Sequence, residues 1–179
     1  MLHGETAAFD ELVRRHLPLI RRLLYGILAG NIEDVEDAQQ EVLVALYRGL
    51  HGFRGRSAFR TWLYRFVRNR GIDYLRRITR MRVRQEHTVR ARAWAQNPDA
   101  PDPVQELLLQ ERKDQITEAL GELPAAGRLL LMMREVEGLE LAEISRILGV
   151  PTGTVKSRLH RTRARFAEVL RSRGVYHEA

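Results

Sequence analysis

Apolar residues recur every three or four positions along most of the chain, and this helical period is interrupted at one place. The clearest stripe runs through Phe9–Leu28, and no segment alternates apolar and polar residues as a half-buried strand would. Three prolines fall within Asn97–Pro103, and a helix does not continue through such a segment. The sequence therefore predicts an all-α protein with two small helical domains joined by a flexible linker.

The interruption sets the predicted domain boundaries. We place the first domain at residues 5–83, the linker at 84–103 and the second domain at 104–175. A chain of 179 residues is long enough for two small domains. A linker of about 20 residues could span up to about 65 Å if it were extended.

Local signals predict where the helices begin and end. Pro18 lies inside the first apolar stripe and predicts a kink or a restart of that helix. Asn31 is a good N-cap for the second helix, and Ser57 is one for a third helix that ends near Arg77. The third helix should bury the following stripe: Phe59, Leu63, Phe66, Val67 and Leu75. In the second domain, helices are expected over about 104–121, 124–137, 141–148 and 151–173.

The charged residues alternate in sign along the chain. The protein carries 28 arginines, two lysines and a net charge of +7. The net charges of four consecutive segments are −4 for residues 1–47, +12 for 48–92, −7 for 93–145 and +6 for 146–179. Two separate basic blocks indicate two anion-binding surfaces, and the forked guanidinium of arginine suits phosphates and guanine edges. A GC-rich genome would give the same excess of arginine over lysine.

Several classes of protein are disfavoured by what the sequence lacks. There is no cysteine, which rules out disulfides, thiolate catalysis and cysteine-ligated zinc and fits a reducing cytosol. The longest apolar run, Leu23–Gly30, has eight residues, whereas a membrane-spanning helix needs about 20. Met1–Glu5 does not resemble a signal peptide, and the histidines show no metal-ligand spacing. We therefore expect a cytoplasmic protein without membrane insertion, metal, cofactor or catalytic residues.

The sharpest local motif lies in the second basic block. Leu141–Leu148 is followed by Gly149, which can end a helix with a positive φ, and by Pro151 at the start of the next helix. This order predicts a helix-turn-helix, whose second helix would enter the major groove of duplex DNA. The residues expected to pack the two helices are Ala142, Ile144, Leu148, Val155 and Leu159. The residues expected to meet DNA are Thr154, Lys156, Ser157, Arg158, His160 and Arg161. The alternative interpretation is a solvated, arginine-rich helix in a bundle.

The first basic block interleaves arginines with aromatic residues over Arg54–Arg70. Aromatic rings stack unpaired bases and arginines follow the phosphate backbone, so the pattern favours binding of single-stranded nucleic acid. Helical spacing places five residues of this region on one face: Trp62, Arg65, Asn69, Asp73 and Arg76. In the alternative, structural interpretation, Phe59 and Phe66 belong to the core. Asp73 would then only pair with Arg77 or Arg70.

The second helix carries an acidic strip. Its polar side contains Asp34, Asp37, Gln40, Glu41, Val44 and Arg48. Such a strip is either a solvated helix face or a docking surface for a basic partner. These residues by themselves favour the solvated face.

Four segments, taken in order along the chain, resemble one family. They are Asp37–Leu43, Phe53–Leu63, Arg68–Arg77 and Leu123–Arg158. Together they are similar to the bacterial RNA polymerase sigma factors of the extracytoplasmic-function (ECF, group IV, sigma-70-like) family, over about residues 5–172. The resemblance implies a subunit that binds core RNA polymerase and directs promoter recognition, DNA opening and transcription initiation. Such a subunit is not itself an enzyme.

The resemblance makes the first domain sigma region 2. Asp37, Gln40 and Glu41 match the face that docks on the clamp helices of the polymerase in this family, which overrides the solvated-face interpretation. Opening of the promoter and recognition of its minus-10 element, as duplex and as single strand, would fall to a second set of positions. These are Arg54, Arg56, Ser57, Trp62, Arg65, Asn69, Asp73, Arg76 and Arg77.

The second domain would be sigma region 4. In the family this region binds the polymerase flap and reads the minus-35 element, here through the six DNA-facing residues of the helix-turn-helix. The linker would thread toward the active-site cleft of the polymerase. Members of the family are commonly held by an anti-sigma factor, so we expect such a partner here, and no cofactor.

The chain departs from the family at two helix starts. Glu140 stands where Ser or Thr is usual and caps poorly, and Ala125–Gly127 replaces charged residues. Two other functions fit parts of the sequence. One is a helix-turn-helix transcriptional regulator that acts without being a polymerase subunit, and the other is a purely structural helical adaptor. Neither of them requires the arginine-aromatic block of the first domain.

Overall fold

The computed structural model of the chain describes residues 2–85 and 114–174, with side chains from residues 7–82 and 114–174. Every regular element in these two ranges is helical, so the all-α prediction is confirmed. Most of the predicted linker and the start of the second domain lie outside the described residues. The domain boundaries therefore stay a prediction.

The first domain consists of three long helices. They are α1 (Leu2–Ile27), α2 (Ile32–Gly49) and α3 (Phe59–Gln85), with a 3-10 turn at Leu50–Gly52. The second domain contains α4 (114–121), α5 (Ala125–Leu131), a π-turn at Met132–Val136, α6 (Leu141–Leu148) and α7 (Thr152–Ser172). The predicted helix over 124–137 thus changes from α to π geometry at Met132.

α1 runs through Pro18 without a break, so the helix does not restart there, while the kink that the sequence offered as the alternative stays a prediction. A proline inside a helix removes one hydrogen bond and costs about 3 kcal/mol. The residues that follow it offset this cost, because Ile20, Leu23 and Leu24 are fully buried. Tertiary packing therefore decides the continuity of this helix against the local signal.

The helix starts in the first domain follow the sequence in one case and depart from it in another. Asn31 caps α2 as predicted, since its side chain accepts a hydrogen bond from the Asp34 N–H at 3.0 Å. Ser57 does not cap α3. The helix begins at Phe59, and the Ala58 carbonyl accepts the first bond, from the Trp62 N–H at 3.1 Å.

α3 is eight residues longer than the predicted end near Arg77, because its last turns have tertiary partners. Ile78 is buried and Arg82 pairs with the nearly buried Asp34 at 2.7 Å. Of the predicted stripe, Leu63 and Val67 are buried, while the other three side chains are only partly buried. The stripe missed three buried residues: Tyr64, Tyr74 and Ile78.

The helix-turn-helix forms as predicted, with Gly149 in the left-handed conformation at φ 69°. Ile144, Val155 and Leu159 are buried between its helices, but Ala142 is exposed, which corrects the expectation. Two residues of α-helix turn through about 200°, so Ala142 points away from the side that Ile144 buries. At the start of α6 the Glu143 carboxylate accepts a hydrogen bond from the Glu140 N–H at 3.0 Å.

The two domains pack against one another in this structure. α1 contacts α5 and the π-turn, and α3 contacts α6, so buried side chains of both domains form one hydrophobic cluster. None of the described helices is long and apolar enough to cross a membrane.

Candidate nucleic-acid and polymerase interfaces

A cavity of about 350 Å³ opens where the 3-10 turn leads into α3. Its lining consists of Gly52, Phe53, Arg54, Arg56, Ser57, Trp62 and Arg65. Five of these seven are residues that the sequence assigned to the minus-10 element, so the structure brings them together. The cavity combines two aromatic walls with three guanidinium groups, which is the chemistry that holds an unpaired base and its phosphate.

The aromatic wall of this cavity is part of a stack of four rings. Trp62 lies 5.3 Å from Phe53, 5.6 Å from Phe59 and 5.1 Å from Phe66, measured between ring centroids. Phe59 and Phe66 pack against the hydrophobic core, as the structural interpretation expected. Sequence reasoning missed Phe53 as a cavity residue, although its place directly before the arginine block was a usable signal.

The predicted reading face of α3 is exposed at Arg65, Asn69, Asp73 and Arg76, while Trp62 is half-buried. Asp73 lies 3.7 Å from Arg76, three residues along the helix, and pairs with this arginine rather than with the expected Arg77 or Arg70. The Arg65 Nε donates to the backbone carbonyl of Arg146 at 3.1 Å.

Arg77 lies apart from this reading face. Its guanidinium donates to the Glu41 carboxylate and covers the Tyr74 ring at 4.9 Å from the centroid. The structure therefore places one predicted minus-10 residue beside one predicted polymerase-docking residue. Burial raises the pKa of the Tyr74 hydroxyl, and the negative charges of Asp34, Asp37 and Glu41 add to that effect.

The acidic strip of α2 divides into a buried end and an exposed surface. Asp34 is buried and paired with Arg82, so its role is structural. Asp37, Gln40 and Glu41 are exposed, and two large apolar side chains of the same helix are exposed beside them, Val44 and Tyr47. A shallow depression of about 640 Å³ is lined by Gln40, Glu41, Val44, Ala45, Arg48, Gly49 and Arg70.

The start of α7 presents basic groups that nothing in the described part of the chain engages. The side chains of Lys156, Arg158, His160 and Arg161 are exposed, and none of them forms a hydrogen bond or an ion pair there. Thr154 is half-buried and accepts, through its carbonyl, a hydrogen bond from the Ser157 hydroxyl at 3.1 Å.

Further along α7 and just past its end, the arginines other than Arg171 are engaged in ion pairs. Arg163 pairs with Glu135, Arg165 with Glu168 at 2.9 Å, and Arg173 with Glu118 and Glu122. Unpaired cations therefore cluster toward the start of the helix, where a groove-binding helix meets base edges.

The comparisons with known proteins agree with this division into two functional halves. Residues 12–81 match the Sigma-70 region 2 family, and residues 113–166 match the Sigma-70 region 4 family. The ECF RNA polymerase sigma-E factor of Haemophilus influenzae is 33% identical over 89% of this chain and 86% of its own length. The ECF RNA polymerase sigma factor SigM of Mycobacterium tuberculosis is 36% identical over 93% of this chain and 79% of its own. The chain belongs to the ECF RNA polymerase sigma factors.

Two solved structures share the fold. The sigma factor RpoE, in complex with the anti-sigma factor NepR from Bartonella quintana, has a TM-score of 0.69 at 22% identity, covering 92% of this chain and 97% of that one. CnrH, in complex with the cytosolic domain of CnrY, has a TM-score of 0.62 at 22% identity, covering 93% and 90%. Both likenesses concern the helical architecture.

Proposed function

We propose that the three surfaces described above divide the work of a sigma factor among them. The exposed acidic strip of α2 docks on the polymerase clamp helices, the cavity and outer face of α3 open and read the minus-10 element, and the start of α7 reads the minus-35 duplex. The observation that carries this proposal is the cavity in which Phe53 and Trp62 face Arg54 and Arg56.

The energetics of opening explain why the chain needs a large partner. Each base removed from the duplex stack costs a few kcal/mol, and an aromatic platform returns about 1–3 kcal/mol per base. The described cavity holds one aromatic-lined site, so it can stabilise one or two captured bases. Docking on core RNA polymerase supplies the remaining contacts, and the chemistry of RNA synthesis belongs to that enzyme rather than to this chain.

Base reading in the duplex falls to α7. Arginines grip guanine edges in pairs of hydrogen bonds, and Arg158 and Arg161 are exposed and unpaired within the residues the structure describes. The flap contact of the second domain and the path of the linker through the polymerase are further parts of the same proposal. The linker itself lies outside the described residues.

The proposal includes a protein regulator. The sigma factor RpoE of similar fold forms a complex with the anti-sigma factor NepR, and this chain presents two basic surfaces that such a partner could cover. We therefore expect an anti-sigma factor to bind this chain in the cytoplasm.

Charge reversal on α2 tests the docking step. Asp37→Arg combined with Glu41→Arg should abolish retention of core RNA polymerase, because like charges across a contact cost several kcal/mol. The matched control is Glu11→Arg combined with Glu36→Arg, which makes the same change in net charge at exposed glutamates outside the strip, where Glu11 pairs with Arg14 and Glu36 lies 3.6 Å from Arg21.

The measurement is a pull-down of purified core polymerase, with circular dichroism of each variant. Loss of the exposed Glu41–Arg77 pair costs at most about 1 kcal/mol, so the fold should persist. Equal polymerase retention by both double variants would remove the docking assignment. A wild-type chain that binds promoter duplex but no polymerase would favour the helix-turn-helix regulator instead.

A further inference from the structure

The buried side chain of Arg128 in α5 donates hydrogen bonds to the C-terminal end of α1, a helix of the other domain. Its Nε donates to the Gly26 carbonyl at 2.8 Å, and an amino group donates to the Ile27 carbonyl at 2.6 Å. The last carbonyls of a helix have no partner within it, and these two belong to the last turn of α1. A third donor meets the Leu123 carbonyl beside α5. The buried guanidinium thus satisfies the end of α1 from across the domain boundary.

Glu137, at the end of the π-turn, makes the reciprocal contact. Its side chain is 4% exposed, and a buried carboxylate is costly unless it is paired. One oxygen accepts from the Arg22 Nε, and the other accepts from the Tyr64 hydroxyl at 3.1 Å. Arg60 lies 3.8 Å from the second oxygen. All three partners of this carboxylate belong to the first domain.

Gly26 marks the closest approach between the two domains. A Cβ at this position would lie 2.5 Å from the Met132 Cγ of the π-turn, a distance that side chains do not tolerate. Glycine disfavours a helix by about 1 kcal/mol relative to alanine, so α1 carries a local cost here. Because glycine has no Cβ, it allows the second domain to pack against α1 at this point.

Closure of the domains brings the proposed reading surfaces of α3 and α7 to one cleft. Arg65, on the α3 face assigned to the minus-10 element, bonds the Arg146 carbonyl of α6. Arg68 of α3 lines the same cleft, of about 590 Å³, as Arg158 and Arg161 of α7. The two helices that would contact separate promoter elements therefore lie on either side of one cleft.

The dimensions of a promoter do not match this arrangement. Elements centred about 25 base pairs apart are separated by about 85 Å at 3.4 Å per base pair. A compact chain of this length has a radius of gyration of about 16 Å, and therefore a diameter of about 40 Å. One closed molecule cannot contact both elements at once.

We propose that Gly26, Arg128 and Glu137 form a latch that keeps the unbound chain closed and unable to start transcription until the two domains separate. This inference rests on the proposed function of α3 and α7. The latch suits a reversible step, because the charged groups of Arg128 and Glu137 are hydrated again when the domains separate. An apolar contact would lose its burial on opening and gain no such hydration.

A disulfide across the latch provides the direct test. The Gly26 position would place a Cβ 3.5 Å from the Met132 Cβ, which is within the range for a disulfide. The natural chain has no cysteine, so Gly26→Cys combined with Met132→Cys can form only this bond within one molecule. Run-off transcription with core RNA polymerase should fall at least tenfold in the oxidised form and return after reduction.

The single variant Met132→Cys, treated with the same oxidant and reductant, is the matched control and should transcribe equally in both conditions. Equal transcription by the oxidised and reduced double variant, with the disulfide verified by mass spectrometry, would overturn the latch. A wild-type chain that never starts transcription would instead overturn the proposed function.

A second variant tests the latch without transcription. Gly26→Ala adds the Cβ that Met132 excludes, so the unbound chain should open and its radius of gyration, measured by small-angle scattering, should rise by several ångströms. The control is Gly71→Ala, whose Cβ would meet the Ile27 Cδ1 at 2.8 Å within the first domain. An unchanged radius in Gly26→Ala would overturn the assignment of Gly26 to the latch.

Discussion

α3 and the start of α7 are both rich in arginine, yet they use the guanidinium group differently. On α3, Arg65 bonds a backbone carbonyl, Arg77 a carboxylate and Arg82 a nearly buried carboxylate. On the first turns of α7, Arg158 and Arg161 have no such partner among the described residues. The comparison teaches that these α7 arginines have no partner to give up, whereas the α3 arginines have to exchange partners before they can bind DNA.

The exchange requires little free energy for Arg77, whose ion pair with Glu41 is exposed. Exposed ion pairs contribute at most about 1 kcal/mol, and phosphate oxygens accept the same paired hydrogen bonds from arginine as carboxylates do. The pair with Glu41 therefore does not prevent Arg77 from binding DNA. The four aromatic rings around Trp62, by contrast, do not have to exchange partners.

The largest expected effect concerns this stack. Trp62→Ala removes a ring that contacts three other rings, so the free energy of unfolding should fall by about 2–4 kcal/mol. Arg161→Ala on α7 should change it by less than about 0.5 kcal/mol, as exposed substitutions usually do. Urea denaturation of both variants provides the measurement. A loss below about 1 kcal/mol in Trp62→Ala would mean that the ring serves only as a platform for bases.

Tyr64 tests how firmly α3 is packed. Burial is the main cause that raises the pKa of its hydroxyl from 10.0 to about 12. A raised pKa in the folded state means that the stabilisation is complete below pH 10 and is lost as the pH rises through 12. The expected loss is about 2–3 kcal/mol. Tyr64→Phe should show a smaller alkaline loss, and an identical pH profile would contradict the burial of the hydroxyl.

A smaller effect distinguishes two arginines of α7. Arg161→Ala should cost about 1–3 kcal/mol on the preferred minus-35 sequence and relax the preference at one position. Arg165 pairs with Glu168, so Arg165→Ala should weaken all sequences about equally and lower the salt slope by at most about one unit. Holoenzyme binding to a minus-35 mutant series at several salt concentrations separates the two. A change in sequence preference confined to Arg165→Ala would reverse the placement of this helix in the groove.

The smallest effect concerns promoter opening by α3. Arg56→Ala and Asn69→Ala each remove one hydrogen-bonding group, so open complexes should fall about three- to tenfold while closed complexes change little. Permanganate reactivity of unpaired thymines measures the open fraction. Arg80→Ala is a suitable control, because Arg80 bonds the Arg76 carbonyl of its own helix at 3.2 Å. Normal thymine reactivity in both test variants would make Arg56, in the segment before α3, and Asn69 of α3 structural residues.

The sequence was sufficient where the cause of a structure is local. The cap at Asn31, the left-handed Gly149 and the bounds of α6 each depend on a few neighbouring residues, and all were predicted. The family resemblance in four ordered segments also identified the family correctly.

The rest depends on contacts between distant parts of the chain. Helical periodicity cannot show that Ile78 is buried or that Arg77 meets Glu41, because those partners lie on other helices. Arg128 donates a hydrogen bond to Gly26, 102 residues away in the chain. Nothing in the sequence distinguishes Glu137 from the other acidic residues. A charged residue gives no sign in the sequence of whether it is solvated or buried in a pair.

The π-turn at Met132–Val136 affects the directions in which the Arg128 and Glu137 side chains point around the helix axis. Nine residues separate them, and in a continuous α-helix nine residues turn through about 900°, which would leave the two side chains on opposite sides. The wider turn, closed by the Glu137 N–H on the Met132 carbonyl at 3.0 Å, changes this rotation. It allows one helical segment to turn both an arginine and a glutamate toward the same neighbour. The number of residues in this turn therefore matters as much as the identity of either charged residue.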